Sequence, residues 1–175
     1  MIVFRHSDPR FPFLWESSAQ PPARWHGAGD GPAHYFSATA DGAWAEFLRH
    51  EAITDPADLE GVARSLWAIE LPSIPERRPT LDQATLTGNV ASYAACQAEA
   101  RRLRDAGADG LTAPSAALPS GAPSGFRTDG GLVSGPERDE GVFVLFGPRP
   151  DLVGWAACAE GRPREDLLPR VRSLR

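Results

Sequence analysis

Arg24, Tyr35 and Glu46 are the residues of the N-terminal third whose types and order can combine in chemistry. A loop arginine offers a planar fork of donors that matches phosphate or carboxylate oxygens. A tyrosine on a strand adds a flat ring with a polar tip, and a glutamate near the edge of a helix's buried face adds negative charge. On the residues alone, two readings stay open. One is a structural Arg24–Glu46 ion pair beside an ordinary half-buried tyrosine; the other is a binding or reaction site.

Other chemistries are excluded or weak. All 18 basic residues are arginine, so Schiff-base lysines and lysine-bearing phosphate loops are absent. Gly27, Gly29 and Gly31 lack the spacing of a dinucleotide loop and open no helix, so they read as a plain turn. There is no HExxH and no GxSxG, and His6, His26, His34 and His50 have no metal-ligand spacing, so no metal is expected. Cys96 falls on an apolar helix face and reads as a small core residue. With Cys158 it makes only two cysteines, too few to suggest a disulfide framework.

The elements that position the three residues follow from pattern. Residues 2–5 and 33–37 read as short strands, the second after a glycine-rich loop. From Asp41 to Glu51 the period turns helical, with Ala43, Trp44, Phe47 and Leu48 on one face and Thr39 or Asp41 able to cap the start. A short helix is expected over 58–64, a strand over 66–71, and a polar connection over 72–88. The longest helix is expected from about Val90 to Ala106, stopped by Gly107, and a strand at 110–113 follows. Residues 119–141, rich in Gly, Pro and Ser, read as a mobile loop. The run 142–146 reads as a buried strand, with 152–157 as its partner across a Gly-Pro-Arg-Pro turn. Strands and helices do not alternate regularly, which predicts an α+β fold with a mixed, mostly antiparallel sheet and flanking helices.

The ordered set Arg24-Trp25-His26-Gly27, Tyr35-Phe36-Ser37-Ala38, Ala45-Glu46 and Pro114-Ser115-Ala116 resembles the RES-domain family, named for its arginine, glutamate and serine. Arg5, in Val-Phe-Arg, matches an early arginine of that pattern, and the resemblance spans residues 2–118. Ala23 and His26 stand where the family usually has glycine and asparagine. The resemblance implies a fold similar to ADP-ribosyltransferases and an enzyme that degrades NAD⁺ at the nicotinamide–ribose bond. The acceptor would be water or, with inorganic phosphate as co-substrate, phosphate. It implies Arg24 and Glu46 as catalytic residues, and Arg5, Arg24, Tyr35 and Ser115 as substrate-binding ones. Glu46 would stabilise an oxocarbenium-like state, Arg24 and Arg5 would hold phosphate groups, Tyr35 would stack on nicotinamide, and Ser115 would position by hydrogen bonding. Relatives are toxins restrained by a helix-turn-helix antitoxin, so such a partner is implied. The alternatives are a catalytically silent member that binds a nucleotide or protein, and an enzyme that transfers ADP-ribose to protein.

For the whole chain the expectation is a single RES-like domain over 1–175, with a loop-rich, divergent part at 119–175. A net charge of −5 argues against direct nucleic-acid or membrane-surface binding. No signal-peptide run or apolar span is present, so the cytoplasm is the expected location, and a homo-oligomer is an open option. Arg101, Arg102 and Arg104 read as a solvated helix face, and the arginines from 162 to 175 as either a frayed end or a docking strip.

Overall fold

The computed structural model describes residues 1–17 and 19–174. Six strands form one sheet in the order β4-β7-β2-β1-β3-β8: β1 (Ile2–Ser7), β2 (Ala33–Ser37), β3 (Arg64–Glu70), β4 (Gly110–Pro114), β7 (Gly141–Phe146) and β8 (Val153–Gly161). Every neighbouring pair is antiparallel. The helices α1 (Ala40–Glu51), α2 (Gln83–Thr87) and α3 (Tyr93–Asp105) flank it, so the α+β expectation holds. No helix among the described residues is long and apolar enough to cross a membrane.

Local rules set the boundaries. Thr39 caps α1, its hydroxyl accepting the Gly42 N–H at 2.9 Å, and Asp41 supplies the acidic first turn. Gly107, at φ +82°, gives α3 its left-handed exit. In β7, Val142, Val144 and Phe146 pack with Trp25, Cys96, Ala100 and Leu103 under α3. The alternate residues Phe143 and Leu145 pack with Val3, Phe36, Ile69 and Leu71 on the other face. Helix α1 buries Trp44, Phe47 and Leu48 against Leu66 of β3, Ala117, Leu118, Leu167 and Leu168.

Several expectations about the elements need correction. The helix over 58–64 is a single 3-10 turn, Pro56–Leu59, because Asp55 caps it early and Arg64 already belongs to β3. The connection 72–88 contains α2, whose start is fixed by Asp82 accepting the Thr85 N–H at 2.8 Å. The long helix begins as a 3-10 turn at Val90–Ser92 and becomes α-helical from Tyr93. Strand β8 does not pair with β7. Both edges of β7 are taken, by β2 and β4, so the chain crosses to the far side and pairs β8 with β3.

Within 119–141 the structure has a small hairpin, β5 (Phe126–Thr128) with β6 (Leu132–Ser134). The arginines of α3 are not simply solvated. Arg101 pairs with Asp30 at 3.0 Å, Arg102 with Glu99 at 2.7 Å, and the Arg104 guanidinium lies 4.1 Å from the centre of the Phe146 ring. In the C-terminal stretch, Arg170 and Arg172 donate to carbonyls of residues 115–122, which is neither fraying nor an open strip. Arg175 lies outside the described residues.

One seam interrupts the sheet between β1 and β2. β1 pairs with β3 along its whole length, yet meets β2 in register at one residue pair, Phe4 opposite Ser37. Past that point the two three-stranded halves separate.

Candidate functional site

A cavity of about 1000 Å³ opens at this seam. Its wall includes Phe4, Arg5, His6 and Ser7 in succession, and Tyr35, Phe36 and Ser37 in succession. Successive strand residues point to opposite faces of a sheet. A cavity that touches consecutive residues on two neighbouring strands therefore runs along their exposed edges. Glu46, Arg24, Arg49, His50, Arg64 and Tyr93 add to the wall from the helices, the Trp25 loop and β3, and Asp8 and Glu16 also line it.

Arg5 bridges the seam, its Nη1 donating to the Tyr35 carbonyl at 3.4 Å. Burial lowers its pKa to about 10, a pull opposed by Tyr35. The guanidinium stays charged at neutral pH. Next to it, His6 is pushed down to about 3 by burial first, then by Arg64, Arg5 and His50, so its ring is neutral. Its Nδ1 lies 3.3 Å from Nη2 of Arg64, which fits an accepting nitrogen.

Arg24 is buried and reaches across to the α2–α3 junction. Its Nη1 donates to the Ser92 hydroxyl at 2.9 Å and the Thr85 carbonyl at 3.3 Å, and its Nη2 to the Gly88 carbonyl at 2.6 Å. Its guanidinium also sits 4.9 Å from the centre of the Tyr93 ring. Arg49, from α1, is buried and donates to the same Gly88 carbonyl at 2.6 Å. Burial lowers the Arg49 pKa, and Glu46 nearby opposes that.

Glu46 leaves α1 beside these arginines, half-buried. Its Oε1 accepts from the Ser115 hydroxyl at 3.3 Å, and its Oε2 lies 4.0 Å from His50 Nε2, one turn along the helix. Ser115 is itself buried, its oxygen accepting from the Ala117 and Leu118 amides at 3.1 Å each. That oxygen is a turn-former and a donor to Glu46.

Tyr35 lines the cavity, but its hydroxyl is committed elsewhere. It accepts the Trp25 N–H at 2.9 Å and lies 2.9 Å from His26 Nδ1. His26 Nε2 is 2.8 Å from the Pro21 carbonyl, which can only accept, so Nε2 carries the proton and Nδ1 accepts from Tyr35. Burial raises the Tyr35 pKa and lowers that of His26, and both groups are neutral. The tyrosine thus locks the Arg24-Trp25-His26 loop onto β2.

The structure therefore brings Arg5, Arg24, Tyr35, Glu46 and Ser115 to one region, with Ser115 reaching it through Glu46. Among the described residues, Arg24 and Glu46 do not form the ion pair that the residues alone left open, and none of Arg5, Arg24 and Arg49 has a carboxylate partner. Three guanidiniums face one cavity, held by neutral carbonyls and a hydroxyl. Such buried charge is normally paired, and a site prepared for an anion leaves it unpaired. Sequence reasoning missed Arg49, Arg64, His6, His50 and Gly88. For Arg49 and His50 a signal existed, since they follow Glu46 by one helical turn.

A family model for the RES domain matches residues 2–124. Among solved structures, the chain is similar to a chain of the M. tuberculosis MbcT–MbcA toxin–antitoxin complex. That match has a TM-score of 0.59 and 15% identity, over 89% of this chain and 84% of that one. A search of curated proteins finds no match. Arg24, Tyr35, Glu46 and Ser115 stand in the matched segment, in the order and on the elements described above: the chain belongs to the RES domain family.

Proposed function

We propose that this protein degrades NAD⁺ by cleaving the nicotinamide–ribose bond, and that it is the toxin of a toxin–antitoxin pair. The observation that carries the reading is that three guanidiniums, Arg5, Arg24 and Arg49, with no carboxylate ion pair among the described residues, line the same cavity of about 1000 Å³ as the Glu46 carboxylate. A dinucleotide carries two adjacent phosphates, which suit the arginines, and a ribose whose C1′ becomes cationic as nicotinamide leaves, which suits the carboxylate. In that reaction the C1′–N bond breaks, its electron pair departs with neutral nicotinamide, and an oxygen of water or phosphate bonds to C1′. The acceptor gives up a proton, for which Glu46 on the cavity wall is the proposed base.

Tyr35 contributes its ring face to the cleft while its hydroxyl holds the loop that carries Arg24. Ser115 holds one oxygen of Glu46, fixing the carboxylate against rotation. The toxin reading rests on family membership and on the likeness to a chain of a toxin–antitoxin complex. A helix-turn-helix antitoxin is the proposed partner.

Incubation of purified protein with NAD⁺, with and without phosphate, and measurement of released nicotinamide tests the activity. Release is expected, and Glu46→Ala and Arg24→Ala should each abolish it. No release under either condition overturns the enzyme reading; full activity of either variant overturns its site assignment.

A further inference from the structure

We infer that Arg172, outside the segment the RES model matches, is a positioning residue that acts on Glu46 through Ser115. The inference rests on the proposed role of Glu46 in NAD⁺ cleavage.

The geometry is a relay of three groups. Residues 115–118 bend so that two of their amides meet the Ser115 hydroxyl and three of their carbonyls meet Arg172. The Ser115 hydroxyl oxygen collects the Ala117 and Leu118 N–H groups, and its own proton goes to Glu46. One nitrogen of Arg172, Nη1, donates to the Ser115 carbonyl at 3.0 Å and the Leu118 carbonyl at 2.7 Å. The Arg172 backbone N–H takes the carbonyl between them, Ala117, at 2.8 Å. All three carbonyls from 115, 117 and 118 thus end on one residue.

Among the described residues, no other donor reaches those three carbonyls. Burial lowers the Arg172 pKa, as expected for a half-buried cation set against neutral carbonyls. Without the clamp, buried carbonyls lose their donors and the turn relaxes to find water. The Ser115 hydroxyl then has several rotamers, and Glu46 loses its fixed orientation. A catalytic carboxylate held loosely loses turnover more than affinity.

The experiment compares wild type with Arg172→Ala, Arg172→Lys, Ser115→Ala and the double variant Arg172→Ala/Ser115→Ala. Nicotinamide release is measured across NAD⁺ concentration, and amide hydrogen exchange at Ala117 and Leu118. Arg172→Ala should lower kcat about tenfold with KM within about twofold, the size expected for one lost positioning contact. Arg172→Lys should recover most of it, because a single nitrogen meets both carbonyls. The double variant should be no slower than Ser115→Ala, since both act through one group. Exchange at Ala117 and Leu118 should accelerate in Arg172→Ala.

Unchanged kcat, a loss confined to KM, or losses that multiply in the double variant each overturn the inference. If wild type releases no nicotinamide, the proposed function fails on its own. Exchange then decides the clamp: unchanged rates at Ala117 and Leu118 overturn it. Should Arg172→Ala not fold, Arg172→Gln, which keeps one donor, takes its place in every comparison.

Discussion

Arg24 and Arg49 donate to the same acceptor, the Gly88 carbonyl, each at 2.6 Å. Two like charges from different elements are thereby held within a few ångströms, against their mutual repulsion. A single neutral oxygen offsets only part of that cost. The remaining positive potential is directed into the cavity both residues line, and it is what an incoming anion would neutralise.

Replacing Arg49 should therefore weaken substrate binding. Arg49→Ala is expected to raise KM for NAD⁺ about tenfold, with a smaller change in kcat, and to reduce the salt dependence of binding. Steady-state rates at two ionic strengths check this. An unchanged KM would remove Arg49 from the binding set.

Gly88 should tolerate no side chain. A Cβ there would stand 2.8 Å from the Ala84 carbonyl oxygen and 3.1 Å from the Ser92 Cβ, so the α2–α3 junction must shift to admit one. Gly88→Ala is expected to cost about 1–3 kcal/mol, measured by urea unfolding. Because the shift moves the carbonyl that anchors both arginines, KM should rise as well.

Tyr35→Phe separates the two ends of the tyrosine. Losing the hydroxyl leaves the Trp25 N–H and His26 Nδ1 without their partner, at a cost of about 1–3 kcal/mol in thermal or urea unfolding. The ring face is kept, so stacking is preserved, and a fall in kcat at temperatures where the variant is folded is expected from the loosened Arg24 loop; an unchanged kcat would remove the hydroxyl from that role.

Glu140 should give the fold a titrating weak point near neutrality. Its carboxyl accepts from the Thr39 N–H at 3.1 Å and from the Thr39 hydroxyl, at the start of the helix that carries Glu46. Burial raises its pKa to about 7, against the pull of the Thr39 bonds, a backbone bond from Ala38 and the charge of Arg138. A raised folded-state value means that the contribution is full below the unfolded value near 4.5 and is lost as pH rises through about 7. Relative to Glu140→Gln, wild type should therefore lose on the order of 1–3 kcal/mol between about pH 5 and pH 8. His6 and His34, lowered to about 3 and about 4, act in the opposite sense. Their contributions are lost as pH falls below about 6.5, equally in both proteins, and cancel in the difference. Unfolding midpoints across this range check the sign.

What the sequence made legible was local. Thr39 and Gly107 mark helix ends because capping needs only a hydroxyl or a left-handed residue at the right offset. The order Arg24, Tyr35, Glu46, Ser115 was readable because each lies in a recognisable stretch. Pairing was not. The partner of Val153–Gly161 depends on which strand edges remain free after β7 has inserted, and no property of residues 153–161 encodes that. Arg172 and Gly88 were hidden for a related reason: their roles come from carbonyls they meet or present, and a carbonyl has no letter in the sequence. Arg49 lay within the helix that was read correctly, but an arginine next to an apolar face normally extends to solvent.

The position of β7 between β2 and β4 also constrains how the molecule comes into being. Strand β2 is complete at residue 37 and β4 at residue 114, yet neither borders the other, and the strand that joins them ends only at Phe146. A chain that ends at residue 124 holds the arginine, the glutamate and the serine, and can pair β2, β1 and β3, but it lacks the strand that joins β4 to them. Long-range pairing of this kind is slow and leaves edges exposed while it waits. The turn that carries Ser115 therefore joins the Glu46 side of the sheet only once residues 141–146 have inserted between β2 and β4.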